Sequence, residues 1–219
     1  MNKNNKAEVV FAEELKYIQS SGIKAFTLNC FKELTADYFW DFTASSSQKH
    51  HPKVSNKKHG IVIHTKLCVW WGRKLADNFG VKDLDVITSA LLLHDLQKFG
   101  KKLDENNKPT LAEYWGTHGP LLAVQIESLY KDVSINDNIK PHVAAIIACV
   151  ALHMGRFTNE KLSSPWKKEY FDDGRPFEET EEQLIQIVQL ADYCASRKCD
   201  EKMEKLDKYI DWSNNEKKS

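Results

Sequence analysis

The sequence predicts an all-α fold, and three observations carry that reading. Apolar residues recur at spacings of three and four along most of the chain, strand-type alternation is almost absent, and loop-forming chemistry gathers between the periodic stretches. At 219 residues the chain fits one domain of ordinary size, about 100–200 residues, and is long enough to bury a core without disulfide staples.

Each element can be justified in order. Val9, Val10, Phe11, Leu15 and Ile18 share one face of a first helix, and Phe26, Leu28, Phe31, Leu34 and Tyr38 predict a second over about 23–40. Ser45, Ser46, Ser47, Pro52, Ser55 and Asn56 then predict a loop over 43–59. A long helix is predicted over 60–79, stopped by Gly80, and Asp83 suits the N-cap of the next, which runs through Ile87 and Leu91 to about 96. The polar stretch 100–117, with Pro109, reads as loop. Helices follow over about 119–131, 141–153 (Pro141 in the first turn) and 179–197. Between the last two lies a long irregular segment, 154–178, whose Trp166, Tyr170 and Phe171 point to a loop covering a site. The predicted organisation is an N-terminal helical extension (1–42) packed on the core, a main domain (43–199), and a short C-terminal helix with a polar tail (200–219).

Composition excludes several function classes. Lys plus Arg is 31 and Asp plus Glu is 31, a formal net charge of zero, which argues against a globally basic nucleic-acid coater and against an acidic disordered tail. The apolar runs are far shorter than the roughly 20 residues of a membrane span. No apolar segment of the secretory kind follows Met1, so a cytoplasmic location without a membrane partner is expected. The five cysteines, Cys30, Cys68, Cys149, Cys194 and Cys199, form no short metal-type pair and are expected as reduced thiols.

The histidines are more informative. His64 lies in Ile61-Val62-Ile63-His64-Thr65, and His94 and Asp95 end the apolar run Leu91-Leu92-Leu93. His118 sits at a helix start, His153 ends the helix containing Ile146, Ile147 and Val150, and Asp192 follows Ile187, Val188, Leu190 and Ala191, where it is expected to be buried. Imidazoles and carboxylates enter apolar surroundings at a cost of several kcal/mol unless they are partnered. A divalent cation partners several at once when different helices converge on one point. His64, His94, Asp95, His118, His153 and Asp192 are therefore the candidate metal ligands.

The segments Gly60-Ile-Val-Ile-His64-Thr65, Leu92-Leu-His94-Asp95-Leu-Gln-Lys98, His118-Gly-Pro, His153-Met-Gly-Arg156 and Leu190-Ala-Asp192-Tyr resemble the HD-domain superfamily of metal-dependent phosphohydrolases, over about two thirds of the chain. The resemblance implies an HD-type helical bundle with two long loops. His64, His94, Asp95 and Asp192 would then be the ligands shared by mononuclear members. His118 and His153 would be the extra pair of binuclear members, with Asp95 bridging. Gln97 departs from the pattern, since many relatives carry glycine before the lysine. His153-Met-Gly-Arg156 and Ala191-Asp192-Tyr193 resemble HD enzymes that hydrolyse dinucleoside tetraphosphates, whereas His51-Pro52 with Gly60 and His64-Thr65 resembles HD exoribonucleases.

Nitrogen and carboxylate ligands without thiolate suit Mn²⁺, Fe²⁺, Co²⁺, Ni²⁺, Zn²⁺ or Mg²⁺ rather than a structural cysteine-zinc site. Two ions about 3.5–4 Å apart can activate a water and polarise a phosphoryl oxygen, so no cysteine nucleophile is needed. Asp95 and Lys98 are the expected catalytic side chains, Lys98 lying one helical turn after His94 and within reach of a phosphate oxygen. Lys49 and His51, in the serine- and histidine-rich loop, and Arg156, just after His153, are the expected substrate contacts. Trp166, Tyr170 and Phe171 can stack a nucleobase. The function this implies is hydrolysis of a nucleotide (a monophosphate, triphosphate or dinucleotide). The alternatives are a nuclease or cyclic-dinucleotide phosphodiesterase, with nucleic acid as substrate, and a binuclear iron HD oxygenase.

Overall fold

A computed structural model describes residues 3–45, 51–102, 104–106, 116–131, 139–159, 161–162 and 179–197. Among them every regular element is helical. The helices are α1 (Lys3–Val10), α2 (Ala12–Leu15), α3 (Ser21–Leu34), α4 (Gly60–Phe79), α5 (Leu84–Leu93), α6 (His118–Lys131), α7 (Lys140–Leu152) and α8 (Glu179–Ala195). Short 3₁₀ turns occupy Asp37–Trp40, Lys53–Ser55 and Gly155–Phe157. None of the described helices is long and apolar enough to cross a membrane.

Local chemistry sets the ends. Ser20 caps α3 by accepting from the Ile23 N–H, and Asp83 caps α5 by accepting from the Val86 N–H at 3.2 Å. Gly80, with φ of +69°, stops α4 in the left-handed region that glycine enters without steric cost. Two helices are shorter than their apolar period predicts. The first breaks at Phe11 into α1 and α2, and the second ends at Leu34, with Tyr38 carried instead on a 3₁₀ turn. Thr35 is extended (ψ of +123°) and ends α3 there, while the Phe31, Tyr38, Phe39 and Trp40 rings remain in the core.

Helix α4 packs against α5 and α8, α5 also against α3, α7 and α8, and α7 against α6. This arrangement puts Leu91, Leu92 and Leu93 at the centre, fully buried, each gaining about 1.5–3 kcal/mol from burial. A Cβ at Gly72 would fall 2.3 Å from a Leu91 methyl, so glycine sets how closely α4 approaches α5. The N-terminal segment joins the same core through Phe11, Phe31, Phe39 and Trp40, whose rings lie 5.1–6.4 Å apart.

Helix α5 ends at Leu93, not at about 96 as the periodicity predicts. Residues 94–99 form successive turns held by Leu96 N–H to Leu93 O, Lys98 N–H to Asp95 O and Gly100 N–H to Gln97 O. The N-terminal segment fastens this turn. Ala36 N–H donates to Leu96 O, and the Tyr38 hydroxyl accepts from Phe99 N–H while donating to Gly100 O. Gln97 is part of the same scaffold. Its amide donates to Leu34 O and exchanges hydrogen bonds with the Gln125 amide on α6 at 2.9 and 3.2 Å.

Candidate metal centre

The turn after α5 presents His94 and Asp95, and four other helices supply the remaining groups. His64 stands in the second turn of α4, His118 opens α6, His153 follows the last residue of α7, and Asp192 lies in the last turn of α8. His94 and His153 are placed by the same device. Each sits at a helix C-cap, where carbonyls lack helical partners, and each aligns its ring Nδ1 with the carbonyl three residues back, Leu91 or Val150, at 2.7 Å. With Nδ1–H donating there, the Nε2 lone pair faces inward.

The inward atoms form two groups. Nε2 of His64 lies 3.4 Å from Nε2 of His94 and 3.0 Å from Oδ1 of Asp192. Nε2 of His118 lies 3.0 Å from Nε2 of His153. Asp95 stands between the groups. Its Oδ2 is 3.5 and 3.4 Å from His64 and His94, and its Oδ1 is 3.2 and 3.9 Å from His118 and His153. Gly119 permits the second group to close, since a Cβ there would fall 2.8 Å from the Val150 carbonyl oxygen and 3.0 Å from the His153 ring.

The electrostatics are those of a crowded, buried cluster. Burial pushes the His153 imidazole down to about 3, helped by His118 and His94. Burial also lowers His64, helped by the Lys98 ammonium. His94 is raised, because the Asp95 carboxylate outweighs burial. Burial alone would raise Asp95, but Lys98, His94 and His118 hold it well below the usual carboxylate range. Asp192 is likewise lowered, by His64 against the effect of burial.

These residues fit a divalent cation. The Asp95 Oδ1 atom is buried without a hydrogen bond of acceptable geometry, and several imidazole lone pairs converge where few protons can be accommodated. His64, Cys68, His94 and Asp192 form one set of ligand atoms, and Asp95, His118 and His153 another, the atoms of each lying within 4.8 Å of one another. Such a set can hold a metal ion, and the mixed nitrogen and carboxylate donors suit a first-row dication.

All six predicted ligands thus meet in one place. Asp192 is not buried as expected: its side chain is 20% exposed and faces a cavity of about 760 Å³. His153, Arg156, Phe157, Tyr193 and Arg197 also line that cavity. Lys98 donates to Asp95 Oδ2 at 2.5 Å. His51 packs its ring 5.0 Å from that of His64, with Nε2 at 3.4 Å from the Ser196 hydroxyl, and burial pushes it down to about 2. Arg156 is exposed on the cavity rim, stacked over Phe157. Lys49, Trp166, Tyr170 and Phe171 lie outside the described residues. Sequence reasoning set every cysteine aside and so missed Cys68, whose signal was its position one helical turn after His64. Arg197, exposed just beyond α8, also lines the cavity, stacked 3.9 Å from the Tyr193 ring centre. No protein-family description, curated protein or solved structure matches this chain.

Proposed function

We propose that this chain is an HD-type, metal-dependent phosphohydrolase that cleaves a soluble nucleotide. The observation that carries the reading is the division of the Asp95 carboxylate, one oxygen toward each imidazole group. On this reading His64, His94 and Asp192 would hold one divalent ion and His118 and His153 a second, with Asp95 facing both groups. The cations supply Lewis acidity toward a water and a phosphoryl oxygen.

The chain's own groups do the rest. The Lys98 ammonium, held at the cluster by Asp95, offers a donor to a phosphate oxygen. The cavity of about 760 Å³ lies within the roughly 300–1,000 Å³ of small-molecule sites. Arg156 and Arg197 bring positive charge to its rim, and Phe157 and Tyr193 bring aromatic faces for a base. His64, His94, Asp95 and His153 are buried, and that low-dielectric setting strengthens each of these interactions.

The test is a panel of deoxy- and ribonucleotides at every phosphorylation level, dinucleoside polyphosphates, cyclic dinucleotides and a short RNA, with Mn²⁺, Co²⁺ or Mg²⁺ and product separation by ion-pair chromatography. Turnover of a soluble nucleotide that stops on chelation is expected, and the product identifies the bond cut. Cleavage of RNA alone would replace the proposal with a nuclease. Silence across the panel would overturn it.

A further inference from the structure

We infer that Cys68 is a metal ligand, and that it makes the His64 group a nitrogen–sulfur–carboxylate site selective for a zinc-class cation over Mg²⁺ or Mn²⁺. The inference rests on the reading of the cluster as a metal centre and goes beyond it by assigning a thiolate and a metal preference to one half.

Position is the first argument. Cys68 lies four residues after His64 on α4, so both side chains project from the same face. Its Sγ is 3.4 Å from His64 Nε2 and 4.0 Å from His94 Nε2. Donors sharing a tetrahedral ion at bond lengths of about 2.0–2.3 Å are about 3.3–3.6 Å apart. The separations of His64 Nε2 from Cys68 Sγ (3.4 Å) and from His94 Nε2 (3.4 Å) fall there, while Cys68 Sγ to His94 Nε2 (4.0 Å) and His94 Nε2 to Asp192 Oδ1 (3.9 Å) are wider and would close on an ion.

The surroundings are the second argument. A structural cysteine behaves as a small hydrophobe among apolar neighbours, and fully buried Cys30 lies in the apolar core in this way. Cys68 is equally buried yet faces His64, His94 and Asp192. Beyond them Asp95 Oδ1 is buried without a hydrogen bond of acceptable geometry, an independent polar atom that a cation in the cluster would satisfy.

Soft thiolate distinguishes the two halves. A His₂-Cys-carboxylate set favours Zn²⁺, Co²⁺ or Fe²⁺, whereas Asp95 with His118 and His153 offers only harder donors. On binding, the Cys68 S–H bond breaks, its proton passes to solvent, and the sulfur lone pair forms the bond to the cation. No electron is transferred.

X-ray absorption at the zinc edge tests this on the full chain carrying one equivalent of Zn²⁺. One sulfur scatterer at about 2.3 Å is expected beside nitrogen and oxygen at about 2.0–2.1 Å. Cys68→Ser should lose the sulfur shell and bind zinc about tenfold or more weakly, with Mn²⁺ affinity little changed, while Cys30→Ala keeps the sulfur shell. With Co²⁺, the wild type should show a thiolate-to-metal charge-transfer band that Cys68→Ser lacks. A wild-type shell of nitrogen and oxygen alone overturns the assignment of Cys68 and leaves the metal centre standing. Failure of the wild type to bind any divalent ion overturns both.

Discussion

Replacing Asp95 by asparagine removes a charge without changing the shape of the side chain, and the structure sets what that costs. Asp95 Oδ2 accepts from the Lys98 ammonium at 2.5 Å and faces His94 at 3.4 Å. Asp95 is 1% exposed and Lys98 16% exposed. Removing one partner of a buried ion pair costs about 3–5 kcal/mol. The lower end applies, because part of the Lys98 side chain already reaches solvent, so a loss of about 3 kcal/mol is expected. For a chain of this size that is a fall in Tm of about 6–12 °C. The double variant Asp95→Asn/Lys98→Met should recover much of the loss, since an apolar replacement of a buried pair is often neutral. Urea and thermal melts of the metal-free proteins measure this. Neither variant should gain Tm on adding metal, because Asp95 faces both groups, whereas the wild type should gain about 2.7 kcal/mol for each ion bound at a hundredfold excess over its Kd. An asparagine variant as stable as the wild type, and equally stabilised by metal, would refute the reasoning.

His118→Ala should lower bound metal from about two ions to about one per chain, measured by elemental analysis, and equal loss of both would contradict separable groups. Gly119→Ala should destabilise by about 1–3 kcal/mol in a denaturant melt, although alanine ordinarily gains about 0.5–1 kcal/mol in a helix, because its Cβ meets the Val150 carbonyl at 2.8 Å; a stabilised variant would show that the helices separate freely. The metal-free protein should lose stability as pH falls from about 6.5 toward 4, because the unfolded chain protonates His153 and His51 while the fold, which lowers them to about 3 and about 2, keeps them neutral. His64 acts in the same sense and His94, which is raised, opposes it. The depressed values of Asp95 and Asp192 give stability that is lost only below the ordinary carboxylate range. Urea midpoints across this range should decline, and a flat profile would contradict the burial of neutral imidazoles.

The helices were legible because their apolar faces repeat with the helical period, and their caps, Asp83 and Gly80, are residues whose chemistry ends a helix. What the period could not show was where the backbone departs from a helix while its side chains stay buried. Tyr38 is in the core on a 3₁₀ turn, and Leu96 is buried beyond the end of α5. The six candidate ligands could be picked out because polar groups stood in apolar runs. Cys68 could not, since a cysteine in such a run looks like any small hydrophobe until the fold places it against His64 and His94. The exposure of Asp192 and the rim position of Arg197 depend on how α8 borders the cavity, which is a tertiary property.

The most direct test of the account is anomalous diffraction from crystals of the full chain grown with Mn²⁺ or Co²⁺. Two peaks are predicted, about 3.5–4 Å apart, one among His64, His94 and Asp192 and the other beside His118 and His153, with Asp95 between them. Diffraction with no anomalous peak inside the histidine cluster would contradict the claim that these side chains converge to hold metal.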